Sequence, residues 1–438
     1  MAISIQDKLI DQFLADKAIR NGHANKKFSA IKDQAMQDFS ADGIPETKFE
    51  EWKYTNLKKY LDQNDFNVDI VNDSLEKIET KYLLSKKYNL LVLVNGIYSD
   101  RLSNIKDKRI NMYLGCFNKY IHQHSEVIEK YFCHSRNLLK NPMYSLNTAM
   151  TKDGLLMVIP DGVILDEPLH ILNINTDQGN DIFSQYRNLI IAGKNSQVSV
   201  VETYESEDKN KRVQNNATEI FVDEFAIFNY YKLQNINNRD ILIDSTFLNQ
   251  SRSSTTNFYT FSSGGKLIRN DLNISLDDEN CEANMYGLTL AKADDHIDHH
   301  TLIDHAFPNC ISNELYKGVY SDSSRGVFNG KVYVRQDAQN TRAYQSNPNL
   351  LLSDDARIDT KPQLEIFADD VKCSHGATVG QLDKDSIFYM RSRGINEQTS
   401  KGILTYAFAS EMIDAVKLDV VKKEMRSQAL SFFKLDIE

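Results

Sequence analysis

Hydrophobic spacing divides the chain into three stretches. Near the N-terminus apolar residues recur at helical spacing: Leu9, Ile10, Phe13 and Leu14 make one stripe, and Phe28, Ile31, Ala35 and Phe39 a second. Asp42-Gly43 ends the second helix, because both residues favour a turn over a continued helix. The next segment, GIPETKFEEWKYTNL from Gly43 to Leu57, holds the only tryptophan, Trp52. A lone large aromatic at such a junction reads as an anchor that packs the helices onto the next region of the chain.

From about Tyr88 the period shifts towards two. LLVLVNG, Leu90 to Gly96, reads as a buried strand closing in an Asn-Gly turn. A mixed stretch comes next, with a helix expected around Ser125 to Phe132. LLMVIPDGV, Leu155 to Val163, restarts the strands. From Asn188 to about Gly380 short strands rich in β-branched and aromatic residues alternate with polar turns, as in NLIIAG, QVSVVETYE, DILIDSTFL and KVYVRQ. No fixed-period repeat is visible. The pattern therefore gives a large β region without choosing between a sandwich, a propeller and a solenoid.

After Asp383 helical spacing returns. Asp383 suits an N-cap for DSIFYMRSR, and Gly394 a C-terminal stop. Asn396 suits the next cap, with Leu404, Phe408, Met412 and Ala415 on one face. A third helix carries Leu418, Val421, Met425, Ala429 and Phe432. These helices are expected to form a small bundle on the end of the β region. The expected division is a helical region over 1–87, a mixed lead-in and β core over 88–382 with regular strands from about 155, and a helical region over 383–438.

Charge and cysteine usage narrow the function classes. The net charge is −10, from 61 acidic and 51 basic residues. That balance argues against non-specific nucleic-acid binding and against a polybasic membrane surface, both of which need clustered cations. MAISIQDKLIDQFLADK has early acidic residues and no apolar signal core, so no secretory or transit peptide is expected. The longest apolar run, Leu90 to Val94, is far short of a membrane span. A cytoplasmic, soluble chain is the expectation. The five cysteines are Cys116, Cys133, Cys281, Cys310 and Cys373, with no C-x-x-C among them. A reducing compartment fits, and any cluster must be transient or share ligands with a partner.

The densest candidate chemistry lies in KPQLEIFADDVKCSHGATVGQLD, Lys361 to Asp383, most of which reads as one strand running into a turn. Cys373 and His375 then point to one face, with Cα atoms roughly 6–7 Å apart by the strand rise. Thiolate and imidazole suit iron, zinc or an iron–sulfur cluster. The same pair also reads as a buried small residue beside a hydrogen-bonded imidazole. A second cluster, DDHIDHHTLIDH, places His296, Asp298 and His300 on one strand face, with His299 and His305 nearby. It reads as a solvated His/Asp ladder, with a weaker reading as low-affinity metal contacts at His296, His300 and His305. Nucleotide motifs are absent: GVFNGKV, Gly326 to Val332, is one residue short of a phosphate loop and lacks its hydroxyl. Arg391, Arg393 and Gly394 close the first C-terminal helix, as a solvated basic helix end or as a docking element.

Several of these blocks resemble the SufD family of iron–sulfur cluster assembly proteins. They are GIPETKFEEWKYTNL, VNGIYSDRLS, YSLNTAM, HHTLIDHAFPN, GVFNGKVYV, and the run from AYQSNPNLLL through KCSHGATVGQLD to FYMRSRGI. Where the sister SufB family carries a block like EHEAT, this chain has Ser374-His375-Gly376-Ala377-Thr378. The resemblance implies a right-handed parallel β-helix core flanked by N- and C-terminal helical regions. It implies a non-catalytic scaffold that pairs with SufB, docks the ATPase SufC on about Asp383 to Ala415, and binds no nucleotide itself. It implies that His375, with Cys373 second, contributes to a transient iron–sulfur cluster shared with SufB. A homodimer of the chain alone stays open. So do two rival readings: a purely structural stabiliser of SufB, and a β-helix polysaccharide-active enzyme using the His296–His305 cluster.

Overall fold

The computed structural model describes residues 4–20, 26–62, 66–68, 75–110, 114–117, 125–133, 141–176, 179–206 and 210–435. Its helices are α1 (Ile5–Arg20), α2 (Lys26–Asp42), α3 (Leu57–Leu61), α4 (Ser125–Tyr131), α5 (Pro142–Met150), α6 (Lys384–Ser392), α7 (Glu397–Ala415) and α8 (Asp419–Phe432). Between α3 and α6 run β1 (Asn89–Val94), β2 (Ile97–Tyr98), β3 (Leu114–Cys116), β4 (Gly154–Ile159), β5 (Leu169–Asn175), β6 (Ile182–Ala192), β7 (Gln197–Ser206), β8 (Arg212–Val222), β9 (Ile227–Ile236), β10 (Ile241–Gln250), β11 (Thr255–Gly264), β12 (Leu267–Leu276), β13 (Glu282–Ala291), β14 (His296–His305), β15 (Ile311–Tyr320), β16 (Arg325–Val334), β17 (Thr341–Leu351), β18 (Arg357–Ile366) and β19 (Val371–Gly380).

The strands alternate between two facing sheets, ordered β19-β17-β15-β13-β11-β9-β7-β5-β1-β2 and β18-β16-β14-β12-β10-β8-β6-β4-β3. From β4 onward every pairing is parallel and joins a strand to the one two places on. This is a parallel β-solenoid, as the family resemblance implied. Its coils are unequal. Ile241 pairs with Leu267 but Arg325 with Arg357, so one coil advances 26 residues and another 32. Unequal corners erase a fixed sequence period, and for that reason no repeat is visible in the chain.

Side chains alternate inward and outward along each strand. In β17, Thr341, Ala343, Gln345 and Asn347 are buried, while Arg342, Tyr344 and Ser346 are exposed. Parallel, in-register pairing then stacks equivalent residues coil upon coil. Tyr230 and Phe258 stack in the interior with ring centroids 5.0 Å apart. One corner repeats a tighter device. Asn195, Phe225, Ser253, Asn280, Asn309 and Asn340 all adopt left-handed backbone, with φ between 55° and 63°. Asparagine tolerates that region best among residues with a side chain. Each is followed by a small buried residue: Ser196, Ala226, Ser254, Cys281, Cys310 and Thr341. Two of the five cysteines thus serve as small corner residues, their thiols donating to the Asp278 carbonyl at 3.2 and 3.3 Å.

The helices cover the outward faces. In the first stripe Leu9 and Phe13 are buried but Leu14 is exposed, so that apolar face is narrower than its spacing suggests. α1, α2, Trp52 and α5 pack on the outside of the β6–β8–β10–β12 surface, against Phe183, Val213, Ile241 and Leu267. On the other sheet Tyr231, Tyr259 and Tyr286 point outward and stack, with centroids 4.7 and 5.0 Å apart. α7 and α8 lie over this ladder, and the Tyr259 hydroxyl donates to the Ala415 carbonyl at 3.2 Å. The expected bundle on the end of the β region is therefore corrected: α7 and α8 lie on a broad face, because that aromatic ladder needs an apolar cover. The buried residues of α7 are Ser400, Gly402, Thr405, Ala409, Met412 and Ile413; of the expected face Met412 is among them, Phe408 and Ala415 are partly buried against the same cluster, and Leu404 lies at its margin. α6 has no buried residue.

The two ends of the solenoid differ. At the N-terminal end, β2 pairs antiparallel with β1 and β3 antiparallel with β4, which closes both sheets. Asn95 and Gly96, both left-handed, make the tight turn into β2. At the other end β18 and β19 each pair on one side alone among the described residues.

Tyr259→Ala should lower stability by about 3–5 kcal/mol, the usual range for deleting a buried aromatic, and loosen α7. Tyr259→Phe should cost only about 1 kcal/mol for the lost hydrogen bond. Denaturant unfolding of the two variants checks both values.

Candidate functional site

The open coil carries the sequence-predicted pair. Lys361 to Asp383 is not one strand: it holds the end of β18, a corner at residues 367–370, and β19. The corner arises where the polar pair Asp369-Asp370 ends the strand and the Asn340 N–H donates to the Asp370 carbonyl at 2.7 Å. Within β19, Cys373 pairs in register with Ala343 and His375 with Gln345. Ala343 and Gln345 are buried inward residues of β17, so Cys373 and His375 continue the interior row. Cys373 is half-buried against Val332, Val334, Ala343 and Leu364. Burial pushes its thiol up, with a partial offset from the Ala343 backbone, so iron would have to displace the proton. His375 is exposed, because no further coil covers it. Around them Ile366, Phe367 and Val379 on the same coil, and Tyr344 on the coil before it, are exposed apolar residues.

α6 comes directly after. The Asp383 carboxylate accepts from the backbone N–H groups of Asp385 and Ser386, and Gly394 ends the helix at φ 88°. Arg391 reaches Glu397 at 3.4 Å, and Arg393 lies over the Tyr389 ring at 5.2 Å. Arg391, Arg393 and Gly394 are all exposed, yet the larger feature is one that sequence reasoning did not single out: Phe388 and Tyr389 are 72% and 59% exposed. The signal was present. Two adjacent aromatics in a helix with no other apolar stripe beside Ile387 and Met390 leave little apolar face to cover them both.

The second cluster lies elsewhere and is not solvated. His296, Asp298 and His300 do share the outward face of β14, but the N-terminal segment covers them. His296 Nδ1 bonds the Tyr60 hydroxyl at 2.8 Å, and its Nε2 lies 3.3 Å from Thr55 Oγ1. His300 lies 3.1 Å from Asp298 and 3.3 Å from Glu51. Arg269 anchors the seam. Its guanidinium sits 4.3 Å from the Trp52 ring and donates to Asp298 at 2.8 Å, Asp271 at 2.7 Å and the Glu51 carbonyl at 2.9 Å. Burial works to raise the Asp298 carboxyl, but Arg269 and His300 override it and hold Asp298 well below the usual range. Burial pushes His296 down to about 4. His299 and His305 face inward, where His299 bonds Asn270 and Thr289 and His305 bonds Ser312. The ladder is thus a buried clamp, because a cover supplied from far along the chain excludes water. Among the described residues no group of three or more His, Cys, Asp or Glu side chains is arranged to hold a metal ion. GVFNGKV lies in the straight strand β16, where backbone amides are committed to the sheet and cannot cradle phosphate.

Known proteins resemble this chain over most of its length. Residues 3–171 match the family described as the SufBD protein N-terminal region, and residues 173–408 the SUF system FeS cluster assembly, SufBD core domain. An iron–sulfur cluster assembly SufBD family protein of Synechocystis is 30% identical, over 94% of this chain and 97% of its own length. The iron–sulfur cluster assembly protein SufD of Escherichia coli is 31% identical, over 91% and 92%. SufD of Bacillus subtilis is 24% identical, over 87% of each.

Arg269→Met should cost about 3–5 kcal/mol, since it leaves Asp298 and Asp271 buried without their cation. Asp298 has a lowered folded-state pKa, so its contribution is present above the ordinary aspartate value of about 4 and fades as pH falls below it. Thermal unfolding across pH should show wild type and Asp298→Asn converging on the acid side and diverging towards neutrality.

Proposed function

The chain belongs to the SufBD family of the SUF iron–sulfur cluster assembly system, and on that premise we propose that it is a non-catalytic scaffold subunit. It pairs with SufB through the open coil of β18 and β19. The observation that carries this reading is the asymmetry of the solenoid: antiparallel strands close one end, while among the described residues the other leaves two strand edges, with Ile366, Phe367 and Val379 exposed beside them. Free edges of that kind invite another chain, and exposed apolar patches mark contacts.

His375, with Cys373 beside it, contributes to a transient cluster at that junction, and SufB supplies the remaining ligands. Imidazole in place of thiolate lowers the negative charge on a cluster, which suits a cluster made for release. α6 docks the ATPase SufC through Phe388 and Tyr389, with Arg391, Arg393 and Gly394 shaping the helix end. Nucleotide hydrolysis belongs to SufC. Its ATP-driven dimerisation strains the SufB junction and exposes the ligands. A cytoplasmic setting fits this role, and no helix among the described residues is long and apolar enough to cross a membrane. The packing of Cys373 among Val332, Val334 and Ala343 favours a second reading, a purely structural stabiliser of SufB.

His375→Ala separates the two. The scaffold reading expects an intact SufB complex with little bound iron and sulfide, and the stabiliser reading expects normal cluster content. Phe388→Asp should reduce recovery of the ATPase about tenfold or more, as for loss of an aromatic anchor, while SufB is retained. Affinity purification from cells expressing all three chains, with anaerobic iron and sulfide assays, reads both.

A further inference from the structure

We propose that Gln345 positions His375: its side-chain oxygen accepts one ring N–H, so that the other ring nitrogen is the one offered to iron. The inference rests on His375 being a ligand, as proposed above.

Gln345 and His375 are register partners on the interior row of β17 and β19. Adjacent strands lie about 4.8 Å apart, a spacing that an amide and an imidazole can bridge. Gln345 is 3% exposed, so its amide is cut off from water. One end of the amide is fixed. Nε2 donates to Glu314 Oε2 at 2.7 Å, and Glu314 is the register partner of Gln345 on the coil beneath. Thr301 donates to the other carboxyl oxygen of Glu314 at 2.5 Å. Two donors converging on one carboxyl fix which end of the Gln345 amide faces it.

The other end is not satisfied. Among the described residues Gln345 Oε1 is buried with no hydrogen-bond partner, His375 included, a state that costs about 1–3 kcal/mol, and the exposed imidazole reaches it by rotating its ring. The room around the amide is built in as well. A Cβ on Gly330 of β16 would collide with Gln345 Nε2, so the opposite sheet carries glycine where the amide lies. An anchored, buried acceptor one step below an exposed imidazole is the arrangement that ligating histidines use. Their second ring N–H is held by an acceptor, which fixes both tautomer and ring orientation.

The test reads the histidine itself. In the full-length chain without metal, the ¹⁵N shifts of the neutral His375 ring report which nitrogen carries the proton. Wild type should show one dominant tautomer and Gln345→Met a mixture. An even mixture in wild type overturns the proposal without any variant, and so does a tautomer ratio that Gln345→Met leaves unchanged. In the complex with SufB, loaded with ferrous iron and sulfide, Gln345→Met should weaken cluster retention about 10–100-fold at unchanged complex yield. If His375→Ala abolishes loading while Gln345→Met matches wild type, this inference alone falls. If His375→Ala loads normally, the ligand reading falls and takes this inference with it.

Discussion

A parallel coil cannot finish itself. Each strand satisfies one edge with the coil before it and presents the other edge to the next chain segment that arrives. In this chain that constraint is met in two ways. Short antiparallel strands at Ile97–Tyr98 and Leu114–Cys116 cap the start of the solenoid. The last coil, Arg357–Ile366 and Val371–Gly380, is left uncapped among the described residues, with Phe367 and Val379 exposed beside it. The place where the fold is incomplete is also the place where a thiol and an imidazole share a row. Structural need and candidate chemistry coincide there, which is why the proposed pairing is placed on this coil.

The broad faces are treated differently. Much of the outward apolar and charged surface is covered by the chain's own N- and C-terminal segments. Trp52 over Arg269 and the tyrosine ladder under Ala415 fasten those covers. The same logic explains why His296 and His300 fail to look like a metal site once folded: Tyr60, Thr55, Asp298 and Glu51 already engage their nitrogens.

Sequence reasoning reached the helix–β–helix order and the shared face of Cys373 and His375, because both depend on spacing within one element. It missed the features that depend on distant register. Coils of 26 and 32 residues hid the repeat. The clamp on His296 comes from Thr55, more than two hundred residues away. Gln345 reads as an ordinary polar strand residue until its pairing with His375 is known. The corner at residues 367–370 and the exposed Phe388-Tyr389 pair were both legible as polar or aromatic breaks in pattern. Their meaning needed the terminal coil in place.

The central claim is that the last coil is finished by another chain. Hydrogen–deuterium exchange of the chain alone and with SufB tests it most directly. The account predicts strong new protection of backbone amides in 357–366 and 371–380 on adding SufB, with the coils over 212–305 unchanged. Unaltered exchange in those two strands, with protection appearing on the helical faces instead, would contradict it.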